Sequence, residues 1–184
     1  MKKQAVKNII LVMGMHRSGT SAITRALQVF GIQLGEKLMP ALPDNAKGFW
    51  EDLEINALNI EMMNAINSDW HNLAPIGVED VSKLINSKFF LQAVSLLCQK
   101  TEDASVFGFK DPRVSKLLPF WKAVFAHCEF SVQYIITLRN PLSVCKSLQI
   151  RDGFDHRKSY ALWQAHLIYA LLETVGEKSY SCRF

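Results

Sequence analysis

Apolar positions along this chain follow two periods, and the changes from one to the other predict its elements. Ile9–Met13 is an unbroken apolar run, the pattern of a strand buried on both faces. A glycine-bounded turn, Gly14 to Gly19, leads into Ala22, Ile23, Ala26, Leu27 and Phe30 at helical spacing, with Gly31 placed as the stop. Gly31–Asn45 is rich in proline and glycine and reads as a loop, whose Leu34, Leu38, Met39 and Leu42 are expected to cover part of a site. From about Asp52, the residues Ile55, Leu58, Met62 and Ile66 predict a helix, and Val78–Lys100 predicts one further helix. Ser105–Lys110 is a second strand, and Pro112 opens a helix on Val114, Leu117, Leu118, Trp121 and Phe125 that Pro119 should kink or split. Ser131–Leu138 is a third strand, followed from Pro141 by a helix through Val144 and Leu148. A last helix on Tyr160, Trp163, Leu167 and Leu171 ends near Val175, and the tail GEKSYSCRF shows no strand pattern.

Strands that alternate with helices in this way define the α/β class. At 184 residues the chain is expected to form a single domain, 1–184. Its composition, 49% hydrophobic and 21% charged, is that of a soluble globular protein. A net charge of +4 without a basic stripe gives no reason to expect nucleic acid, but suits a small polyanionic ligand. Cys98, Cys128, Cys145 and Cys182 form no CxxC pair and no metal-ligand spacing, so reduced thiols in a cytoplasmic protein, and no metal, are expected. The first apolar run is too short for a membrane span and lacks the flanks of a signal peptide.

The candidate chemistry sits where strands end. Strand, glycine turn and helix over residues 8–30 present backbone N–H groups and a positive helix end to an anion. Gly14 and Gly19 match the first part of the phosphate-loop pattern GxxxxGK[ST], but Thr20 stands where the lysine belongs and Ser21 follows. The cation is instead inside the loop, at Arg17, between His16 and Ser18. Loss of the lysine argues against a nucleoside triphosphate held with magnesium. Lys110, Asp111 and Arg113 cluster at the end of the second strand, either as a solvated ion-pair group or at the ligand edge of a parallel sheet. Arg139 ends the third strand, with Ser143 and Ser147 on one face of the helix beyond, as a second anion site would require. Glu51 and Asp52 either cap a helix or place a carboxylate before the loop as general base. His71, His127, His156 and His166 read as surface or packing residues.

Two anion sites on different strand ends suit a nucleotide phosphorylated at both 5′ and 3′ positions, and here the sequence resembles the PAPS-dependent sulfotransferase family. GMHRSGTSA (Gly14–Ala22) is similar to its 5′-phosphosulfate loop, and LRNPLSVCKS (Leu138–Ser147) to its 3′-phosphate motif. GFWED and FKDPRVSKLLPFW resemble segments of the bacterial and carbohydrate-type branches, and the likeness spans about residues 8–172. The resemblance implies a three-layer α/β sandwich with a central parallel sheet, related to nucleotide kinases. It implies PAPS as donor, bound by Gly14, His16, Arg17, Ser18, Gly19, Thr20, Ser21, Arg139 and Ser147, and PAP as product. Arg17 would be catalytic, with Glu51 the favoured base and Asp52 and Lys110 the alternatives. The acceptor would be a small molecule, sugar or lipid headgroup, for which Phe49 and Trp50 offer aromatic surface. The family continues beyond this length, through a glycine-rich basic loop. The resemblance therefore leaves an inactive PAP-binding remnant as one alternative and a phosphotransferase as another.

Overall fold

The computed structural model describes residues 6–43 and 45–183. Its centre is a parallel sheet in the order β2-β1-β3-β4, built from β1 (Asn8–Met13), β2 (Val106–Lys110), β3 (Ser131–Leu138) and β4 (Ser179–Arg183). β1 pairs on both sides, Leu11 opposite Phe109 and Tyr134, which is why its sequence is apolar throughout. The two-residue period sorts it between layers. Ile9, Leu11 and Met13 face a large core with Phe107, Phe109, Trp121 and Phe125, while Ile10 and Val12 face Leu27 and Leu34. Helices thus cover both faces, and the architecture is the expected three-layer α/β sandwich.

The helices are α1 (Thr20–Leu27, prolonged by a 3-10 turn to Phe30), α2 (Leu53–Ala65), α3 (Val78–Ile85), α4 (Lys88–Lys100), α5 (Val114–His127), α6 (Pro141–Asp152) and α7 (His156–Glu173). Several differ from the sequence expectation. The stretch Val78–Lys100 is two helices, because Ser87 accepts from Phe89 N–H and donates to the Leu84 carbonyl, ending one helix and capping the next. Pro119 lies inside α5 without dividing it, and Phe120 and Trp121 beside it are fully buried, so tertiary packing overrides the missing N–H.

The tail does form a strand. SYSCR pairs with β3 from Tyr134↔Ser179 to Leu138↔Arg183, an edge position that tolerates polar, exposed residues. The inward face of α7 is Ser159, Leu162, His166 and Ala170, while Tyr160 and Leu171 are exposed. Phe30 is also exposed. In the segment after α1, Leu34 is buried against Val12 and Leu27 on the sheet face instead of over a site, Leu42 is exposed, and Asp44 lies outside the described residues.

Candidate functional site

The carboxyl ends of β1, β2 and β3 converge where the strand order reverses about β1, the position at which open parallel sheets bind ligands. A cavity of about 390 Å³ opens there. Of the residues singled out from sequence, His16, Arg17, Gly19, Thr20, Ser21, Glu51, Lys110 and Arg139 line it.

The loop is shaped by backbone constraints. Gly14 has φ +145, and a Cβ there would overlap Thr137 Oγ1 and approach the Thr137 carbonyl oxygen to 2.9 Å. Gly19, at φ +89, turns the chain into α1, whose N-terminus has no side-chain cap. The first intrahelical bond runs from Ala22 N–H to the Gly19 carbonyl at 3.0 Å, so the amides of Thr20 and Ser21 lie ahead of it at the positive helix end. Arg17 and Trp50 hold left-handed backbone conformations, φ 68 and 60, at a cost of about 1–2 kcal/mol each. Both line the cavity.

Three loops are tied together at the mouth. Arg17 Nε donates to Ser147 Oγ at 2.7 Å, and Arg139 Nη1 donates to the Arg17 carbonyl at 2.9 Å. Ser21 Oγ donates to the Phe49 carbonyl at 3.0 Å. Ser147 therefore meets the site through Arg17, while Gly14 and Ser18 lie behind the lining. Ser18 is buried, and its Oγ has no hydrogen-bond partner among the described residues.

Glu51 and Asp52 have separate tasks. Asp52 caps α2, accepting from Glu54 N–H and Ile55 N–H at 3.0 and 3.1 Å, and pairs with Lys100 at 2.9 Å. Glu51 faces the cavity, where Lys110 Nζ donates to Oε1 at 2.5 Å and Asn56 Nδ2 to Oε2 at 2.7 Å. Burial, with help from Asp111 and against the pull of Lys110, raises the Glu51 carboxyl above its ordinary value. Asp111 is no surface group. It is fully buried, accepts from Asn56 and Asn59 at 3.1 and 3.0 Å, and pairs with Arg113 at 3.1 Å. Trp121 Nε1 donates to Asn59 Oδ1 at 2.9 Å, so the network runs from the cavity wall into the core.

Sequence reasoning missed Arg25, Lys47 and Arg151, which also line the cavity, and the asparagines under Glu51. Helical phase from Thr20 could have found Arg25; nothing local marks the others. Counting them, six cations and one carboxylate face the cavity among the described residues, and that carboxylate is already paired with Lys110. The His16 ring packs on Trp70 with centroids 4.3 Å apart, and Arg151 stands 5.4 Å over the same indole. Burial, then the charges of Arg113 and Arg151, hold His16 well below its ordinary value, so its imidazole is neutral.

The other histidines are surface or packing residues. His71 pairs with Asp69, His127 and His156 are exposed, and His166 is fully buried with Nδ1 against the Leu162 carbonyl at 2.9 Å. Among the described residues no cluster of three or more His, Cys, Asp or Glu could hold a metal ion, and no helix is long and apolar enough to cross a membrane.

No family model and no curated protein sequence matches this chain. Among solved structures it is similar to a "putative kinase" from Chloroflexus aurantiacus J-10-fl, at 12% identity and a TM-score of 0.44, over 98% of this chain and 89% of that one. A likeness so loose carries nothing about activity.

Proposed function

We propose that this chain is a PAPS-dependent sulfotransferase, moving the sulfuryl group of PAPS to a hydroxyl or amine of an acceptor and releasing PAP. The observation that carries the reading is the junction of Arg17, Ser147 and Arg139. Residues of two separate strand ends are bonded to one another beside a cavity whose cations outnumber its carboxylates. That arrangement supports a ligand with two separated anionic groups. The cysteines are free thiols, which suits a cytoplasmic setting.

In the reaction the acceptor oxygen or nitrogen attacks sulfur in line. The bond from sulfur to the bridging phosphate oxygen breaks, and its electron pair stays on that oxygen. Arg17 and the amides of Thr20 and Ser21 stabilise the developing charge, the kind of donor set that contributes most to group transfer. An arginine stays protonated throughout and can meet two oxygens at once. The acceptor proton passes to Glu51, whose raised proton affinity suits a base working near neutral pH. Lys110 and Asn56 hold that carboxylate in place.

Calorimetric titration of the chain with PAP, and separately with ATP and magnesium, tests the reading. PAP should bind, and Arg17→Ala and Arg139→Ala should each weaken it. Binding of ATP with magnesium but not PAP would favour a phosphotransferase instead. Release of PAP from PAPS on adding an acceptor would distinguish an enzyme from a binding protein.

A further inference from the structure

At the edge of the sheet opposite the cavity, where β1, β2 and β3 begin, the last turn of α4 meets the C-terminal end of α5. Cys98 lies on that last turn, and Cys128 is the residue that ends α5. The two are thirty positions apart in sequence. Both line one surface groove of about 500 Å³, together with Lys7, Thr101 and Glu129. Cys98 is exposed and Cys128 half-buried, and the Cys98 sulfur is near enough to Cys128 to help hold its thiol protonated. Neither has any part in the chemistry of the cavity.

We propose that Cys98 and Cys128 are a redox-active dithiol that closes to an intramolecular disulfide by exchange with a low-molecular-weight disulfide of the glutathione class. The inference is independent of the sulfotransferase reading. Cys98, the reachable thiol, loses its proton and attacks one sulfur of oxidised glutathione. A mixed disulfide forms, and one glutathione leaves as thiolate and takes up a proton. Cys128 then loses its proton and attacks Cys98 Sγ, which expels the second glutathione thiolate to be protonated in turn. Two protein thiols are oxidised, and one glutathione disulfide is reduced by two electrons to two thiols.

The order of attack follows from exposure. Burial and the neighbouring sulfur push the Cys128 thiol up to about 11, so it is a slow first nucleophile and later a poor leaving group. Once closed, the disulfide reopens slowly by any path that expels Cys128. The cross-link would tie α4 to α5 and constrain the unfolded chain.

The test equilibrates reduced wild-type chain, Cys98→Ser and Cys128→Ser in glutathione buffers from fully reduced to fully oxidised. Free thiols are then alkylated, and intact masses and non-reducing peptide maps recorded. Wild type should lose two alkylation sites and the mass of two hydrogens, give one linked peptide joining Cys98 to Cys128, and melt about 5–10 °C higher. Cys128→Ser should stop at a glutathione adduct on Cys98, and Cys98→Ser should give no linked peptide. Wild type that stops at the adduct, stays reduced in the most oxidising buffer, or links Cys98 to Cys145 or Cys182 overturns the proposal.

Discussion

Helices α1 and α6 both begin just beyond a central strand, and both have an arginine close ahead of them, yet their first turns are finished differently. At α6 the Asn140 side chain accepts the Leu142 N–H at 2.9 Å, and Pro141 at the first position has no N–H to offer. At α1 the residue before the helix is Gly19, with no side chain to cap anything. One positive helix end is satisfied by its own sequence, and the other is open to an anion. An arginine at a strand end followed by a helix is therefore not enough to define an anion site. On the β3 side the contribution comes through side chains, Arg139 to the Arg17 carbonyl and Ser147 to the Arg17 guanidinium.

The comparison can be broken most directly at the arginines. Arg17→Ala should lower kcat by about 10²–10³, the cost of losing a donor aimed at developing charge. Arg139→Ala should act mainly on PAP affinity. Steady-state kinetics with PAPS as the varied substrate separates the two, and equal losses of kcat would erase the distinction.

Acid sharpens it further, because two buried imidazoles, His16 in the loop and His166 on α7, are both held below their ordinary value. His166, packed under the site near Lys116, Asp111 and Arg113, is lowered from its ordinary 6.5 to about 4 by burial. Between those values the unfolded chain binds a proton that the folded chain refuses. Stability is therefore lost as pH falls through that window, approaching on the order of 3 kcal/mol at its lower end. His166→Gln should flatten much of this slope in melts between pH 7 and 4. A slope unchanged by the substitution would assign it to His16 instead.

Asn140→Ala removes the cap of α6 and should cost about 0.5–2 kcal/mol in denaturant unfolding while leaving PAP affinity unchanged. A tenfold loss of affinity would show that this helix end faces the ligand after all. The smallest effect expected is that of Ser147→Ala, about threefold to tenfold in PAP affinity, because it removes one hydrogen bond from Arg17 without removing a charge.

The central part of the fold was legible because its strands are buried. Ile9–Met13 is apolar throughout and Ser131–Leu138 over most of its length, as strands inside a parallel sheet require, so their sequences announce them. β4 was not legible, since an edge strand is defined by the partner it bonds, and SYSCR has no pattern of its own. The division of α3 from α4 was written at Ser87, but an uninterrupted apolar period on either side concealed it. At the site, the loop, Arg139 and Ser147 could be read because glycine spacing and strand ends mark them. Asn56 and Asn59 could not, since polar residues inside a helix ordinarily read as its wet face, and only the arrival of Asp111 from β2 makes them interior. The separate duties of Glu51 and Asp52 are set by where α2 begins, a boundary that sequence patterns place only to within a few residues.

The lack of a side chain at Gly14 also acts as a ruler. β1 and β3 stay paired up to Met13↔Ile136, and just beyond them Thr137 Oγ1 donates to the Met13 carbonyl at 3.1 Å, against a glycine where no Cβ would fit. The loops bearing Arg17 and Arg139 are thus spaced by two backbones in contact, which cannot adjust as side chains do. A ligand reaching both must match a fixed interval between its anionic groups. On the proposed two-anion reading, selection by length would begin in the sheet itself, before any base or acceptor is met.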